Sequence, residues 1–162
     1  MKIEIGSNEA GQRLDKFLRK LLKDVPLSAI FKAIRKGDIR VNGKKQKEKY
    51  SLLEGDEVEI RYIQSKKENK TNFIQVDSSG LKVVYEDENV LIVEKWPGVL
   101  VHPDSKGSEA TLTDYVLSYL NEKGDYRPEE EITFTPASCN RLDRNTSGVV
   151  IFGKNFEALK TL

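Results

Sequence analysis

Apolar residues fall in short runs along this chain, and the change in their spacing marks the elements. "KIEI" (residues 2–5) alternates apolar and polar positions as a short strand does. Leu14, Phe17, Leu18, Leu21 and Leu22 then recur at intervals of three and four, which puts all five on one face of a helix. Pro26 follows that helix. Ser28 is placed to cap a second helix over residues 29–36, and Gly37 supplies the left-handed residue that stops it. Ile30, Phe31 and Ile34 then pack inward, while Lys32, Arg35 and Lys36 point mostly outward. "DIRV" runs into the polar turn "NGKKQK". "EGDEVEIRY" turns at Gly-Asp into a period-two strand carrying Val58, Ile60 and Tyr62.

Residues 64–80 are polar and keep no period, so they are expected to link two domains, 1–63 and 81–162. The second block opens with "KVVY", turns at "EDEN" and continues into "VLIVEK", whose unbroken apolar run suits a strand covered on both faces. "WPGVLVHP" is expected as a loop. Leu112, Tyr115, Val116, Tyr119 and Leu120 have helical spacing, ended by Gly124, and "DYRPEEE" is expected as a solvated charged loop. "VVIFGK" reads as a buried strand, and "NFEALKTL" as a helix capped by Asn155.

Composition narrows the class. Among 162 residues, 38% are hydrophobic and 33% charged, without a membrane-spanning run, as expected of a soluble globular protein. The amino terminus lacks the apolar core of a secretory signal, which points to the cytoplasm. One cysteine, Cys139, and one histidine, His102, offer neither an internal disulfide nor a zinc site of the usual spacing. The net charge of +1 conceals an asymmetry: residues 1–63 hold 15 Lys and Arg against 10 Asp and Glu, so the front of the chain is basic and the rest acidic. A basic front end is compatible with a solvated surface and with a nucleic-acid partner alike.

The stretch "NRLDRNTSGVVIFGK" (residues 140–154) carries the candidate chemistry. Asp143 lies between Arg141 and Arg144, two cationic groups that favour its ionised form. Such a carboxylate can attack a sugar carbon, act as a general base, or serve as one arm of a structural ion pair, and residue type alone leaves all three open. Thr146, Ser147 and Gly148 form a turn into a buried strand that would hold the loop, with Gly148 permitting close backbone approach. A hydrolase triad of Ser147, His102 and Asp143 is disfavoured because no Gly-x-Ser-x-Gly elbow surrounds the serine. A glycosidase pair with a carboxylate of "DYRPEEE" is disfavoured because that run reads as solvated. His102 is expected to line or support the site. Trp96 and Tyr115 are expected to pack rather than to stack on bases.

Two resemblances make these readings specific. "RLDKFL", "LSAIFKAIRKGDIRVNGKK" and "LLEGDEVEI", in that order over residues 11–62, resemble the RNA-binding domain named after ribosomal small-subunit protein four. The resemblance implies that Ser28, Lys32, Arg35, Lys36, Arg40 and Lys44 face RNA, binding phosphates by shape rather than reading base edges. "VVYEDENVLIVEKWPGVLVHP", "TLTDYVLSYL" and "NRLDRNTSGVVIFGKNFEAL" look like the first part of the catalytic domain of Rlu-type pseudouridine synthases, which act mainly on large-subunit ribosomal RNA. That resemblance implies Asp143 as the catalytic residue and Arg141 and Arg144 as substrate-binding residues, Arg141 taking the place vacated by the flipped uridine. It also implies an α+β protein: a small αα-plus-strand RNA-binding domain followed by the first part of a mixed, largely antiparallel synthase domain. The partner that the resemblance implies is RNA of the 23S ribosomal type, with no metal or other cofactor. The alternative is a non-catalytic RNA-binding protein that retains a synthase-like segment. Asn140 stands where the family has histidine, and "KWPG" where it has Lys-Pro-Ala-Gly. Members of the family continue well past this length, so the 162 residues alone are expected to have little or no activity.

Overall fold

The structure, a computed structural model, describes residues 1–65, 73–107 and 109–162. It divides into two units, residues 1–69 with 132–134, and residues 70–131 with 135–162. Much of the stretch expected as a linker, residues 66–72, lies outside the described residues.

In the first unit, β1 (Lys2–Glu4), α1 (Leu14–Leu21), α2 (Leu27–Lys36), β2 (Ile39–Val41) and β3 (Glu57–Ile60) follow in order. The sheet is antiparallel with β3 in the centre, Val58 facing Ile3 on one side and Val41 on the other. An eight-residue helix is too short to hold in water by itself. α1 exists because Leu14, Phe17, Leu18 and Leu21, with Leu22 just beyond it, are buried in the first core, at about 1.5–3 kcal/mol for each large side chain. Ile132 packs against the same core although it lies far along the chain.

α2 departs from expectation at its start. The cap residue is Pro26, whose carbonyl accepts from Ala29 N and Ile30 N at 3.0 and 3.2 Å. Its φ of −59° is already near helical. Ser28 therefore sits in the first turn and makes no side-chain cap bond. The helix stops at Gly37, φ 81°, as its sequence predicts. Tyr62 also departs from its assigned face: β3 ends at Ile60, and Tyr62, with φ 61°, is 89% exposed.

In the second unit, β4 (Lys82–Glu86), β5 (Val90–Lys95), α3 (Leu112–Lys123), β6 (Ala137–Ser138), β7 (Gly148–Gly153) and α4 (Phe156–Thr161) form an antiparallel sheet in the order β4-β5-β7-β6 with its helices. All strand pairs in both described sheets are antiparallel, and the fold is α+β. β5 and β7 alternate instead of being covered on both faces. Leu91, Val93, Val150 and Phe152 are buried in one core with Leu112, Val116, Leu117 and Leu120 of α3, while Val149 is 48% exposed on the opposite face. The "DYRPEEE" loop is not wholly solvated either, since Tyr126 is 1% exposed inside this core.

α3 is fixed at both ends. Thr111 and Asp114 form a reciprocal capping box, and Gly124 closes the helix at φ 86°. Residues 73–78, within the stretch expected to link, bond to this helix: Ile74 N donates to Asp114 Oδ1 at 2.9 Å and Val76 N to Ser118 Oγ at 3.1 Å. Asn155 caps α4 through Ala158 N, as expected.

Candidate functional site

The loop carrying Asp143 leaves the sheet between β6 and β7. Asn140 controls that exit. Its side-chain nitrogen donates to Val149 O at 3.0 Å and its side-chain oxygen accepts from Ile151 N at 2.8 Å. The carboxamide thus continues β6 along β7 after the backbone ladder has ended. On the return side, Leu142 packs over Gly148, where an added Cβ would lie 3.0 Å from Leu142 Cδ1. This is the close approach that the sequence assigns to Gly148.

From beneath, the loop is held by "KWPG". Lys95 is fully buried, and its Nζ donates to three main-chain carbonyls: Trp96 at 3.1 Å, Arg144 at 2.9 Å and Thr146 at 2.6 Å. An ammonium has three protons, and all three are used. Gly98 N also donates to Arg144 O, at 2.7 Å. Burial lowers the Lys95 pKa below the usual lysine value, and the negative charge of Asp143 works in the opposite direction. Trp96 packs edge-on against Tyr115 at 5.1 Å, as expected of a packing residue.

Among the described residues the flanking arginines form no ion pair with Asp143, so of the readings left open by the sequence the structural ion pair with them is not the one seen. Arg144 reaches Glu109 at 3.0 Å and Asp104 at 3.5 Å. Arg141 is exposed and, among the described residues, has no ion pair. Arg144 turns instead to the acidic side chains of residues 104 and 109, and the negative charge of Asp143 is felt by Lys95, 48 positions earlier in the chain. Among the described residues the Asp143 carboxylate accepts no hydrogen bond and forms no ion pair, although its backbone carbonyl accepts from Thr146 N at 3.0 Å. Asp143 is exposed.

Arg141, Leu142, Asp143 and Arg144 share a cavity of about 230 Å³ with the segment from Leu100 to Asp104. That volume is below the ~300–1,000 Å³ of clefts that hold drug-sized ligands, so the cavity suits a single ring rather than a stacked run of bases. His102 lines it, as expected. Sequence reasoning missed the clamp by Lys95 and the tether of the His102 ring to Ser138 Oγ at 3.0 Å. "KWPG" marked the place of the clamp but not its acceptors, since carbonyls carry no sequence signal.

In the first unit, Ser28, Lys32, Arg35 and Lys36 are exposed on α2, at spacings of four, three and one that give one stripe. Arg40 is half-buried, its Nε donating to Gly37 O at 2.9 Å, and Lys44 is exposed in the turn after β2. Among the described residues, Lys32, Arg35, Lys36 and Lys44 have no ion pair. No group of three or more His, Cys, Asp or Glu among the described residues is arranged to hold a metal ion. None of the described helices is long and apolar enough to cross a membrane.

Residues 89–162 match the family described as RNA pseudouridylate synthase, and residues 12–58 match the S4 domain. A relative from Escherichia coli K12, named ribosomal large subunit pseudouridine synthase C, is 38% identical over 99% of this chain and 48% of its own length. One from Mycoplasma capricolum, named as an uncharacterized RNA pseudouridine synthase, is 36% identical over 95% of this chain and 50% of its own. The chain thus spans about half the length of the curated relatives it matches. The segment running through the Asp143 loop is thus similar to RNA pseudouridylate synthases, with a match to the S4 domain ahead of it.

Proposed function

We propose that the protein containing this chain isomerises specific uridines of RNA to pseudouridine, with large-subunit ribosomal RNA as the substrate and Asp143 as the catalytic carboxylate. One observation carries the reading. Asp143 lies in a cavity sized for one ring, and its oxygens are unclaimed by any described side chain or backbone donor, while the loop beneath is clamped. A structural carboxylate is held by its partners; this one is left accessible on a fixed support.

The chemistry suits such a group. The N1–C1′ bond breaks, the uracil turns, a C5–C1′ bond forms, C5 loses its hydrogen to solvent and N1 gains one. Product and substrate have the same atoms, so neither an oxidant nor a group donor is consumed. A carboxylate serves by attacking the sugar or by taking a ribose proton. The base reaches it only after leaving the stack, at a cost of about a few kcal/mol. Arg141, exposed at the cavity and without an ion pair among the described residues, takes the place of the extruded base, and Arg144, on the same cavity, is the second substrate-binding residue.

Residues 1–63 act as the RNA-docking domain through Ser28, Lys32, Arg35, Lys36, Arg40 and Lys44. Residues 81–162 supply the first part of the catalytic domain. The names of the relatives support the ribosomal substrate, which would be modified in the cytoplasm. The test is Asp143→Asn in the full gene product that contains these residues, assayed on an unmodified large-subunit ribosomal RNA transcript. Conversion is expected to vanish while RNA affinity stays unchanged. Undiminished conversion removes Asp143 from its role, and a parent protein that binds RNA but converts nothing is a binding protein with a synthase-like segment.

A further inference from the structure

The histidine beside Asp143 has a construction that a solvated loop residue does not need. The backbone leading to His102 is fixed by the start of α3: Leu112 N donates to Leu100 O at 2.7 Å, and Thr113 Oγ1 donates to Val101 O at 2.7 Å. Val101 is 1% exposed in the core of the second unit. The ring is then held from the other side, Nε2 lying 3.0 Å from Ser138 Oγ on β6, next to the root of the Asp143 loop. A surface imidazole ordinarily turns freely about its two side-chain torsions. This one is anchored at its backbone and at one ring nitrogen, on the wall of the cavity that contains Asp143. Among the described residues its Nδ1 has no hydrogen-bond partner.

We propose that His102 is a substrate contact of this site, its Nδ1 hydrogen-bonding the polar edge of the extruded uracil, and that Ser138 is a positioning residue acting through the His102 ring. The proposal rests on the function proposed above and adds a residue to it. The hydroxyl sets the polarity of the contact. When Ser138 donates to Nε2, Nδ1 carries the proton and faces a uracil carbonyl oxygen; when Ser138 accepts, Nδ1 of the neutral ring faces the N3 proton. Either contact fixes how far the base can turn, which matters for a reaction in which the ring must rotate and rejoin through a different atom. Orientation of that kind is lost when a supporting side chain is allowed to swing.

The experiment uses the full gene product and an unmodified large-subunit ribosomal RNA transcript tritiated at uridine C5, following release of tritium as the C5–C1′ bond forms. His102→Ala is expected to lower kcat/KM about ten- to a hundred-fold, as loss of one hydrogen bond to a desolvated ligand group does. RNA affinity and the thermal midpoint should stay unchanged, and His102→Gln, which keeps a donor and an acceptor, should recover part of the rate. Ser138→Ala should cost about two- to five-fold alone and nothing further in the His102→Ala background. If the unaltered protein converts and His102→Ala matches it in kcat/KM, the assignment is overturned while the proposed function stands. Additive losses from Ser138→Ala and His102→Ala overturn the coupling. No tritium release by the unaltered protein sinks the proposed function and this contact together.

Discussion

A lysine without access to water keeps its charge only where other groups replace its hydration, and Lys95 does so with three carbonyls, two of them in the Asp143 loop. The same bonds that stabilise the ammonium fix the course of residues 144–146. Lys95→Met preserves most of the volume and leaves the Trp96 and Thr146 carbonyls without this donor, at an expected cost of about 2–4 kcal/mol. Urea unfolding checks it: a loss below about 0.5 kcal/mol, the range of ordinary surface substitutions, would show that the clamp is dispensable. Conversion should fall further than stability alone accounts for, because the loop beneath Asp143 loses its support. Asp143 itself shows what sequence proximity hides. Among the described residues its neighbours Arg141 and Arg144 form no ion pair with it, and Arg144 turns to Asp104 and Glu109 instead.

Elements in this chain are secured at their ends by few side chains, so single changes there act on whole segments. Asp114 is the clearest case. Oδ2 accepts from Thr111 N at 2.8 Å and Thr111 Oγ1 at 3.0 Å, while Oδ1 accepts from Ile74 N at 2.9 Å. One carboxylate therefore caps α3 and straps residues 73–76 to it. Asp114→Ala is expected to destabilise by about 2–3 kcal/mol, combining a lost cap with an orphaned buried N–H. Hydrogen exchange should then show early opening at Ile74 and Val76; continued protection there would mean that the strap is held otherwise. Helix faces and stops in this chain were legible from spacing and from Gly37 and Gly124. The start of α2 was not, because Pro26 and Ser28 both offer a start and the pre-set φ of proline prevailed.

At the scale of the molecule, two charge systems govern behaviour in solution. In the second unit, Glu86 accepts from Lys123 at 2.6 Å, Tyr119 at 2.7 Å and Lys154 at 3.1 Å, and Lys154 also reaches Asp125 at 3.0 Å. Burial pushes the Glu86 carboxyl up, but those donors outweigh it and hold the pKa below the usual value. Asp125 is lowered first by its bond to Lys154. Carboxyls depressed on folding add stability above their unfolded pKa and lose it as pH falls through the folded one. Stability should therefore decline from about pH 4–5 downward, and Glu86→Gln should flatten the decline. A urea midpoint that falls equally in both proteins would remove Glu86 as a cause. The basic stripe on α2 belongs to the other system. If Lys32, Arg35 and Lys36 meet phosphates, Arg35→Ala with Lys36→Ala should weaken binding to ribosomal RNA and reduce its salt slope by about 1–2; an unchanged slope would place the RNA elsewhere.

The amino-acid sequence determined which residues are apolar on which face, where most elements stop, that the front of the chain is basic and that one aspartate sits in a distinctive loop, because periodicity, capping and charge are properties of neighbours in the chain. Tertiary structure alone decided that Lys95 clamps the Asp143 loop through its carbonyls, that Asn140 completes a ladder with β7, that Tyr126 is core, and that His102 is tied to Ser138. Each of those depends on atoms brought together from distant positions or on main-chain groups common to every residue, and local spacing carries no record of either.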